Sequence, residues 1–206
     1  MNYDDFSATF SRSRKNHPWK EIDTIIHLLQ EAKITSILDV WCGNGRFLEE
    51  AERLSFTSRH YLGIDASAGM IEEARRLHPS FHFETLEMQD IDMISDTFES
   101  ILLLASFHHL RTQEERKDVL EKISRRLVPG WKLFMTNWNL LDQPRYDVNH
   151  TGNGDFQIKI GAYTRFYHGF TCDELDTLFH DTGFTIRENR IFPWGRNLFS
   201  VCEKGK

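Results

Sequence analysis

Ile37-Leu-Asp-Val-Trp-Cys-Gly-Asn-Gly-Arg-Phe47 is the stretch that decides the fold, because it joins a predicted strand to a predicted helix through a tight turn. Its apolar start indicates a buried strand, and Gly43 and Gly45 indicate the turn. A strand that breaks at such a turn and enters a helix brings bare backbone amides close to a ligand. The stretch therefore predicts an α/β fold with a binding site at the end of this strand.

Strands and helices alternate along most of the remaining chain, which is typical of a parallel sheet with helices on both faces. Two late β-rich runs, Thr185–Phe192 and Asn197–Cys202, predict a terminal antiparallel hairpin. We therefore expect a Rossmann-like, doubly wound, seven-stranded sheet, parallel except for this hairpin. The predicted helices cover residues 21–32, 46–54, 68–77, 112–127 and 171–182, and the other predicted strands cover 35–40, 60–64, 81–86, 98–104 and 132–138.

Length and composition limit the class of protein. A chain of 206 residues suits a single domain, residues 1–206, that buries roughly 70% of the unfolded surface. The 31 Asp and Glu against 25 Lys and Arg argue against a broad electrostatic footprint for nucleic acid. Three cysteines without a paired pattern indicate a reduced, cytoplasmic setting, and no apolar run approaches the ~20 residues that span a bilayer. We expect a soluble protein without a membrane partner.

Residues 139–163 interrupt the alternation with Asp, Asn, Gly and Pro. A loop of this length predicts a cover over a substrate, so we assign residues 139–170 to a substrate-side insertion. Thr171 and Glu174 then predict a capping box at the start of the next helix.

Acidic residues near successive strand ends indicate a nucleoside cofactor. Asp65 closes the second strand, 26 residues after Asp39, where a carboxylate can accept hydrogen bonds from both ribose hydroxyls. Leu48 stands where a dinucleotide fingerprint requires a helix-opening glycine, and no P-loop lysine is present. The pattern therefore favours S-adenosylmethionine (SAM) over NAD and ATP.

A third acid follows the third predicted strand. Glu87, with Asp90 as the alternative, is placed to accept the adenine amino hydrogen, and Met88 to pack on the ring. Any one such acid is commonly a turn or helix-cap carboxylate, so the spacing of the three carries the prediction.

Four segments carry a family pattern beyond the cofactor motifs. They are Tyr3 to Arg14 with Pro18-Trp19, the motifs 39–47 and 61–74, Ala105-Ser-Phe-His-His-Leu110 with Glu115-Arg116, and Arg165-Phe-Tyr-His-Gly-Phe-Thr-Cys-Asp-Glu-Leu175. With these segments the chain resembles class I SAM-dependent methyltransferases of the type 11 group, and more narrowly the family that methylates carboxymethyluridine at the tRNA wobble position.

The resemblance implies SAM as cofactor and S-adenosylhomocysteine as product. Residues 1–20 would form a lid over the methionine end of SAM, with Tyr3 covering it and Arg14 pairing with its carboxylate. The expected cofactor-binding residues are Tyr3, Arg14, Asp39, Trp41, Cys42, Gly43, Gly45, Asp65, Ala66, Met70, Glu87, Met88 and Ala105.

The expected substrate-binding residues are His108, His109, Arg165, Tyr167 and His168. The histidine pair follows an apolar strand and faces the cleft, or else caps and packs a helix. The later group either clamps an anion or stabilises a loop through hydrogen bonds. A carboxylate acceptor is already ionised at neutral pH, so we assign no catalytic base, and we predict no metal site.

Three functions remain open from the sequence. The first is methyl transfer to a carboxylate or another group on a modified tRNA wobble uridine, with tRNA and a small activator protein as the partners that the resemblance implies. The second is a small-molecule O- or N-methyltransferase. The third is a non-catalytic SAM-fold binding module weakened by Trp41.

Trp41 and Trp131 stand at positions where the resemblance leads us to expect glycine, and Trp194 is a third such case. A side chain at a position of positive φ costs roughly 1–2 kcal/mol, and an indole there narrows the cofactor pocket. One interpretation is that the source organism reads UGA as glycine; the other is three independent, tolerated substitutions. UGG codons at positions 41 and 131 would exclude the first.

Overall fold

The computed structural model describes residues 19–161, 163–193 and 195–205, so Tyr3, Arg14 and Trp194 lie outside the described residues. The helices are α1 Lys20–Glu31, α2 Arg46–Arg53, α3 Ala68–Leu77, α4 Gln113–Arg126 and α5 Cys172–Asp181. The strands are β1 Ser36–Val40, β2 His60–Asp65, β3 His82–Thr85, β4 Phe98–Leu104, β5 Leu127–Trp138, β6 His150–Gly152, β7 Asp155–Ile160, β8 Tyr163–His168, β9 Phe184–Ile191 and β10 Asn197–Lys204. Among the described helices, none is long and apolar enough to cross a membrane.

The main sheet has seven strands in the order β3-β2-β1-β4-β5-β10-β9. Strands β1 to β5 pair in parallel, and β10 pairs antiparallel with both β5 and β9. The predicted doubly wound sheet with a terminal antiparallel hairpin is therefore confirmed. The strand order reverses between β1 and β4, which opens the crevice where folds of this kind bind ligands.

Helices cover both faces of this sheet because its central strands are apolar on both sides. On β4, Ile101 and Leu102 are fully buried in two different cores. Ile101 packs in the core that includes side chains of α4 and α5, which we call the main core. Leu102 packs in a second core with side chains of α1, α2 and α3. The continuous apolar run of β4 therefore follows from its central place in the sheet.

Strands β6, β7 and β8 form a separate antiparallel sheet, which we call the insertion sheet. The prediction of a loop over residues 139–163 is wrong for this part, because β6 and β7 lie within it. The physical reason is the alternation of Phe156, Ile158 and Ile160 along β7, which is a strand period among polar neighbours. Phe156 and Ile158 are buried in a small core with Leu140.

The start of α5 also differs from its prediction. Thr171 accepts a hydrogen bond from the Glu174 amide at 3.1 Å, as expected of an N-cap. The Glu174 carboxylate contacts His168 instead of completing a capping box. A complete box occurs at the start of α4, where Thr112 and Glu115 cap each other.

We expect Ile101→Ala to lower the free energy of unfolding by about 2–5 kcal/mol, because it leaves a cavity in the central strand. Val148→Ala is the control: Val148 is 91% exposed and its truncation should change stability by less than about 0.5 kcal/mol. Urea denaturation measures both, and similar losses for the two variants would contradict the assigned core.

Candidate active site

A cavity of about 270 Å³ lies at the carboxyl ends of the central parallel strands. Residues that the sequence analysis assigned to the cofactor and residues that it assigned to the substrate both line this cavity. The expected site residues that line it are Asp39, Trp41, Cys42, Gly43, Asp65, Met70, Ala105, His108, His109, Arg165 and Tyr167.

The carboxylate of Asp65 joins the turn after β1 to the end of β2. Its Oδ2 accepts a hydrogen bond from the Gly43 amide at 3.0 Å, and its Oδ1 accepts one from the Ser67 amide at 2.9 Å. Burial raises the pKa of Asp65, while these two amides and the charge of Arg165 lower it. Each carboxylate oxygen has a second lone pair, so the carboxylate can also accept ribose hydroxyls from the cavity.

Asp39 is buried near Asp65, and its carboxylate accepts a hydrogen bond from the Tyr61 hydroxyl at 2.8 Å. Burial raises the pKa of Asp39 to about 7, against the lowering effect of the Tyr61 hydrogen bond and with a further rise from Asp65. Asp39 therefore changes charge near neutral pH at the wall of the cavity.

Backbone conformation at the turn shows why glycine suits it. Gly43 has φ of 59° and Gly45 has φ of 81°. A Cβ on Gly45 would lie 2.7 Å from His78 Cδ2, so this glycine serves close packing and does not itself line the cavity. Trp41 has φ of 63°, in the region that favours glycine. Trp131 does not lie in that region.

The Trp41 indole narrows the cavity. It lines the space, packs against the main core, and its ring centroid lies 4.9 Å from that of His109. The turn after β1 therefore places an aromatic ring between the cofactor residues and the histidine pair.

A second residue with positive φ ends β4. Ala105 has φ of 54°, and its amide donates to the Thr136 carbonyl and hydroxyl oxygens, both at 3.0 Å. These bonds to β5 hold a backbone conformation that an alanine rarely adopts. Each of the two strands that flank the crevice, β1 and β4, is thus followed directly by a residue with positive φ that lines the cavity.

Aromatic rings form the part of the cavity that contains the expected substrate-binding residues, which we call the acceptor side. Tyr167 stacks on Trp138 with centroids 5.0 Å apart and contacts the His109 ring at 4.5 Å. The His109 Nδ1 donates to the Phe166 carbonyl at 3.0 Å, and the His108 Nδ1 accepts from the Trp138 amide at 3.3 Å. A backbone carbonyl of β8 therefore orients His109, and a backbone amide of β5 orients His108.

Arg165 brings a buried positive charge to the same cavity. It lies on β8, is 9% exposed, and its guanidinium lies 5.9 Å from the Tyr167 ring centroid. Its effect on the pKa of Asp65 shows that the two charges act on each other across the site. A buried guanidinium is the side chain best suited to bind a carboxylate or phosphate through two hydrogen bonds.

Four expected site residues besides Gly45 lie outside the lining of the cavity: Ala66, Glu87, Met88 and His168. Glu87 is exposed but near enough to Asp65 to raise its pKa, whereas Met88 is buried in the main core. His168 is held between two carboxylates. Their predicted roles in binding stay predictions.

The cavity also contains residues that the sequence reasoning missed. Trp138 stacks on Tyr167, and Arg46 lies over the Trp19 ring at 4.4 Å. Trp19 belongs to a segment that carries the family resemblance, but no local pattern marks either Trp19 or Trp138 as a lining residue. Among the described residues, no cluster of three His, Cys, Asp or Glu could hold a metal ion.

The donors and acceptors of the cavity fit SAM. Asp65 retains acceptor capacity for a ribose diol, and among the described residues other than the chain neighbours of Gly43, no heavy atom lies within 4 Å of the position that a Cβ on Gly43 would take. Asp39 would present a carboxylate to the cofactor's ammonium group, and SAM would supply its sulfonium methyl group. The Trp41 indole lines this space and reduces it.

Because the folded protein keeps a proton on Asp39 that the unfolded chain has lost, the free energy of unfolding should fall as pH rises from about 4 to about 7. Asp39→Asn removes this contribution, so urea denaturation should show a smaller fall for the variant. Tyr61→Phe removes a hydrogen bond that lowers the pKa and should extend the fall to higher pH. Equal pH dependence in wild type and Asp39→Asn would contradict the raised pKa.

Trp41→Gly should bind SAM and S-adenosylhomocysteine more tightly than wild type, because it enlarges the cavity; the strain of roughly 1–2 kcal/mol that it removes should raise the stability of the fold. Calorimetry measures both ligands. Trp131→Gly is the matched control and should leave affinity unchanged, since Trp131 does not line the cavity. Weaker binding by Trp41→Gly would show instead that the indole contacts the cofactor.

Similarity to known proteins agrees with this site. Residues 37–130 match the family described as methyltransferase domain. A protein of Encephalitozoon cuniculi, named as a suggested methyltransferase (ECU09_1500), is 25% identical over 98% of this chain and 93% of its own length. The tRNA (carboxymethyluridine(34)-5-O)-methyltransferase of Saccharomyces cerevisiae is 28% identical over 67% of this chain, and the match spans 47% of that enzyme.

Solved structures share the fold at low identity. A suggested methyltransferase of Haloferax volcanii, solved in complex with the Trm112 methyltransferase activator, superposes with a TM-score of 0.74. It is 15% identical, over 99% of this chain and 98% of that one. Together with the strand-end acids and the glycine turn in one cavity, the domain match and the shared fold support a class I SAM-dependent methyltransferase.

Proposed function

We propose that the protein transfers the methyl group of SAM to a carboxylate on a modified tRNA wobble uridine. The observation that carries this proposal is the buried guanidinium of Arg165, which lines the same cavity as Asp65 and Ala105. A substrate carboxylate bound to Arg165 would lie on the acceptor side, opposite the cofactor residues. The acceptor is already ionised, so alignment with the sulfonium methyl group suffices and no strong base is required.

The relative from Saccharomyces cerevisiae supports the substrate class, since its name specifies carboxymethyluridine 34 of tRNA. The insertion sheet supports it as well, because β8 supplies Arg165 and Tyr167 to the cavity beside His109. Aromatic rings and a guanidinium are the groups with which proteins bind an unstacked base and its anionic substituent.

The chain carries a formal net charge of −6, so binding of tRNA has to rely on local cations or on a partner protein. We propose a small activator protein as that partner, in line with the activator complex of the Haloferax volcanii relative of the same fold. We place the enzyme in the cytoplasm, where its three free cysteines stay reduced.

Methyl transfer from labelled SAM to tRNA that carries unmethylated carboxymethyluridine tests the proposal, with and without an activator of the Trm112 type. Arg165→Gln should lower kcat/KM for tRNA roughly 10- to 100-fold, the loss expected for a hydrogen bond to a charged group, and leave SAM affinity nearly unchanged. Arg111→Gln is the matched control, because Arg111 is exposed and contacts Phe166 without lining the cavity.

Other outcomes would overturn the proposal in distinguishable ways. Transfer to small carboxylates, alcohols or amines but not to tRNA would identify a small-molecule O- or N-methyltransferase. Binding of SAM without transfer to any acceptor, in wild type and in Trp41→Gly, would identify a non-catalytic binding module.

A further inference from the structure

The imidazole of His168 lies between two carboxylates. Its Nδ1 is 2.7 Å from Asp155 Oδ1, and its Nε2 is 2.8 Å from Glu174 Oε1. The ring is 6% exposed, so water contributes little to it. An ionised carboxylate only accepts hydrogen bonds, and a neutral imidazole donates only one. Both short contacts are satisfied together when the ring carries both protons.

The three side chains come from three elements. Asp155 begins β7, His168 ends β8, and Glu174 lies in the first turn of α5. Asp155 and His168 are paired residues at one end of the β7–β8 ladder. The His168 ring therefore connects the insertion sheet to a helix that packs on the main sheet.

Glu174 contacts His168 instead of capping the N-terminus of α5. In the complete box of α4, the Glu115 carboxylate accepts from the Thr112 amide at 3.1 Å. Glu174 has the equivalent sequence position in α5, yet both of its oxygens lie within 3.1 Å of His168 Nε2. The local sequence favours a cap, so the tertiary contact with His168 decides the direction of this side chain.

Among the described residues, a positive charge of α4 also faces the cluster. Arg116 Nη1 lies 3.7 Å from Glu174 Oε1, and its guanidinium donates to the Leu110 and Arg111 carbonyls. With a charged ring, His168 and Arg116 balance Asp155 and Glu174. With a neutral ring, the cluster carries one excess negative charge, and a nitrogen lone pair faces a carboxylate.

The same cluster continues to the candidate active site. His168 directly follows Tyr167 and is three residues from Arg165, both of which line the cavity. Phe170 contacts the His168 ring at 4.7 Å and stacks on Phe107, which precedes the histidine pair, at 5.6 Å. A change at His168 therefore acts on residues that form the acceptor side.

We propose that His168, held as an imidazolium between Asp155 and Glu174, is a positioning residue that latches the insertion sheet to α5 and so fixes Arg165 and Tyr167 at the cavity. The latch holds while the ring is charged and both carboxylates are ionised. This placement of β8 does not depend on which acceptor the enzyme uses.

Nitrogen NMR of protein labelled with ¹⁵N-histidine tests the charge state, with the His168 signals identified by their loss in His168→Gln. We expect both ring nitrogens to carry protons at pH 6, because each of them contacts a carboxylate. A singly protonated ring at pH 6 would overturn the proposal.

Hydrogen exchange tests the latch without any acceptor. The amides of β8 should exchange roughly tenfold faster in His168→Gln than in wild type, as expected for loss of a hydrogen bond to a charged group. His180→Gln, at an exposed histidine of α5, is the matched control and should behave as wild type. The amides of β4 should stay protected in every variant, and unchanged exchange of β8 in His168→Gln would refute the latch.

Discussion

The carboxylate of Asp65 carries the constraint on which the cofactor side of the structure depends. It holds the Gly43 amide and the Ser67 amide at once, and so fixes the turn after β1 against the end of β2. A buried carboxylate is costly unless it is hydrogen-bonded, and two backbone amides supply that compensation before any ligand arrives. The turn is thus preorganised, and the lone pairs that remain on Asp65 can accept hydrogen bonds from a ligand in the cavity.

Strain at the strand ends marks the same place. Trp41 and Ala105 both adopt positive φ, and both line the cavity on either side of the crevice between β1 and β4. Unusual backbone conformations persist at binding sites when the surrounding structure holds them there. The difference between Trp41 and Trp131 also bears on the origin of the tryptophans, because only the former occupies a conformation that calls for glycine.

We propose that the insertion sheet adapts a widespread fold to an acceptor. Many class I methyltransferases share the central sheet, so the identity of the acceptor depends on what is added at its carboxyl edge. Here β8 adds Arg165 and Tyr167, and the stacking of Tyr167 on Trp138 joins the added sheet to β5. The acceptor side of the cavity is therefore assembled from elements far apart in sequence, whereas the cofactor side comes from one continuous half of the chain.

Local sequence patterns were enough to predict the main strands and helices along the chain, because apolar periodicity reports which faces are buried and glycine reports where the chain turns. It also identified Asp39, Gly43 and Asp65, since strand-end positions follow from the parallel sheet. It missed β7, whose short alternation is hidden among polar residues, and it missed Trp138 as a wall of the cavity. The tertiary structure alone decided the partners of Glu174 and His168, because a side chain with both a local and a distant partner is directed by packing that no local pattern contains.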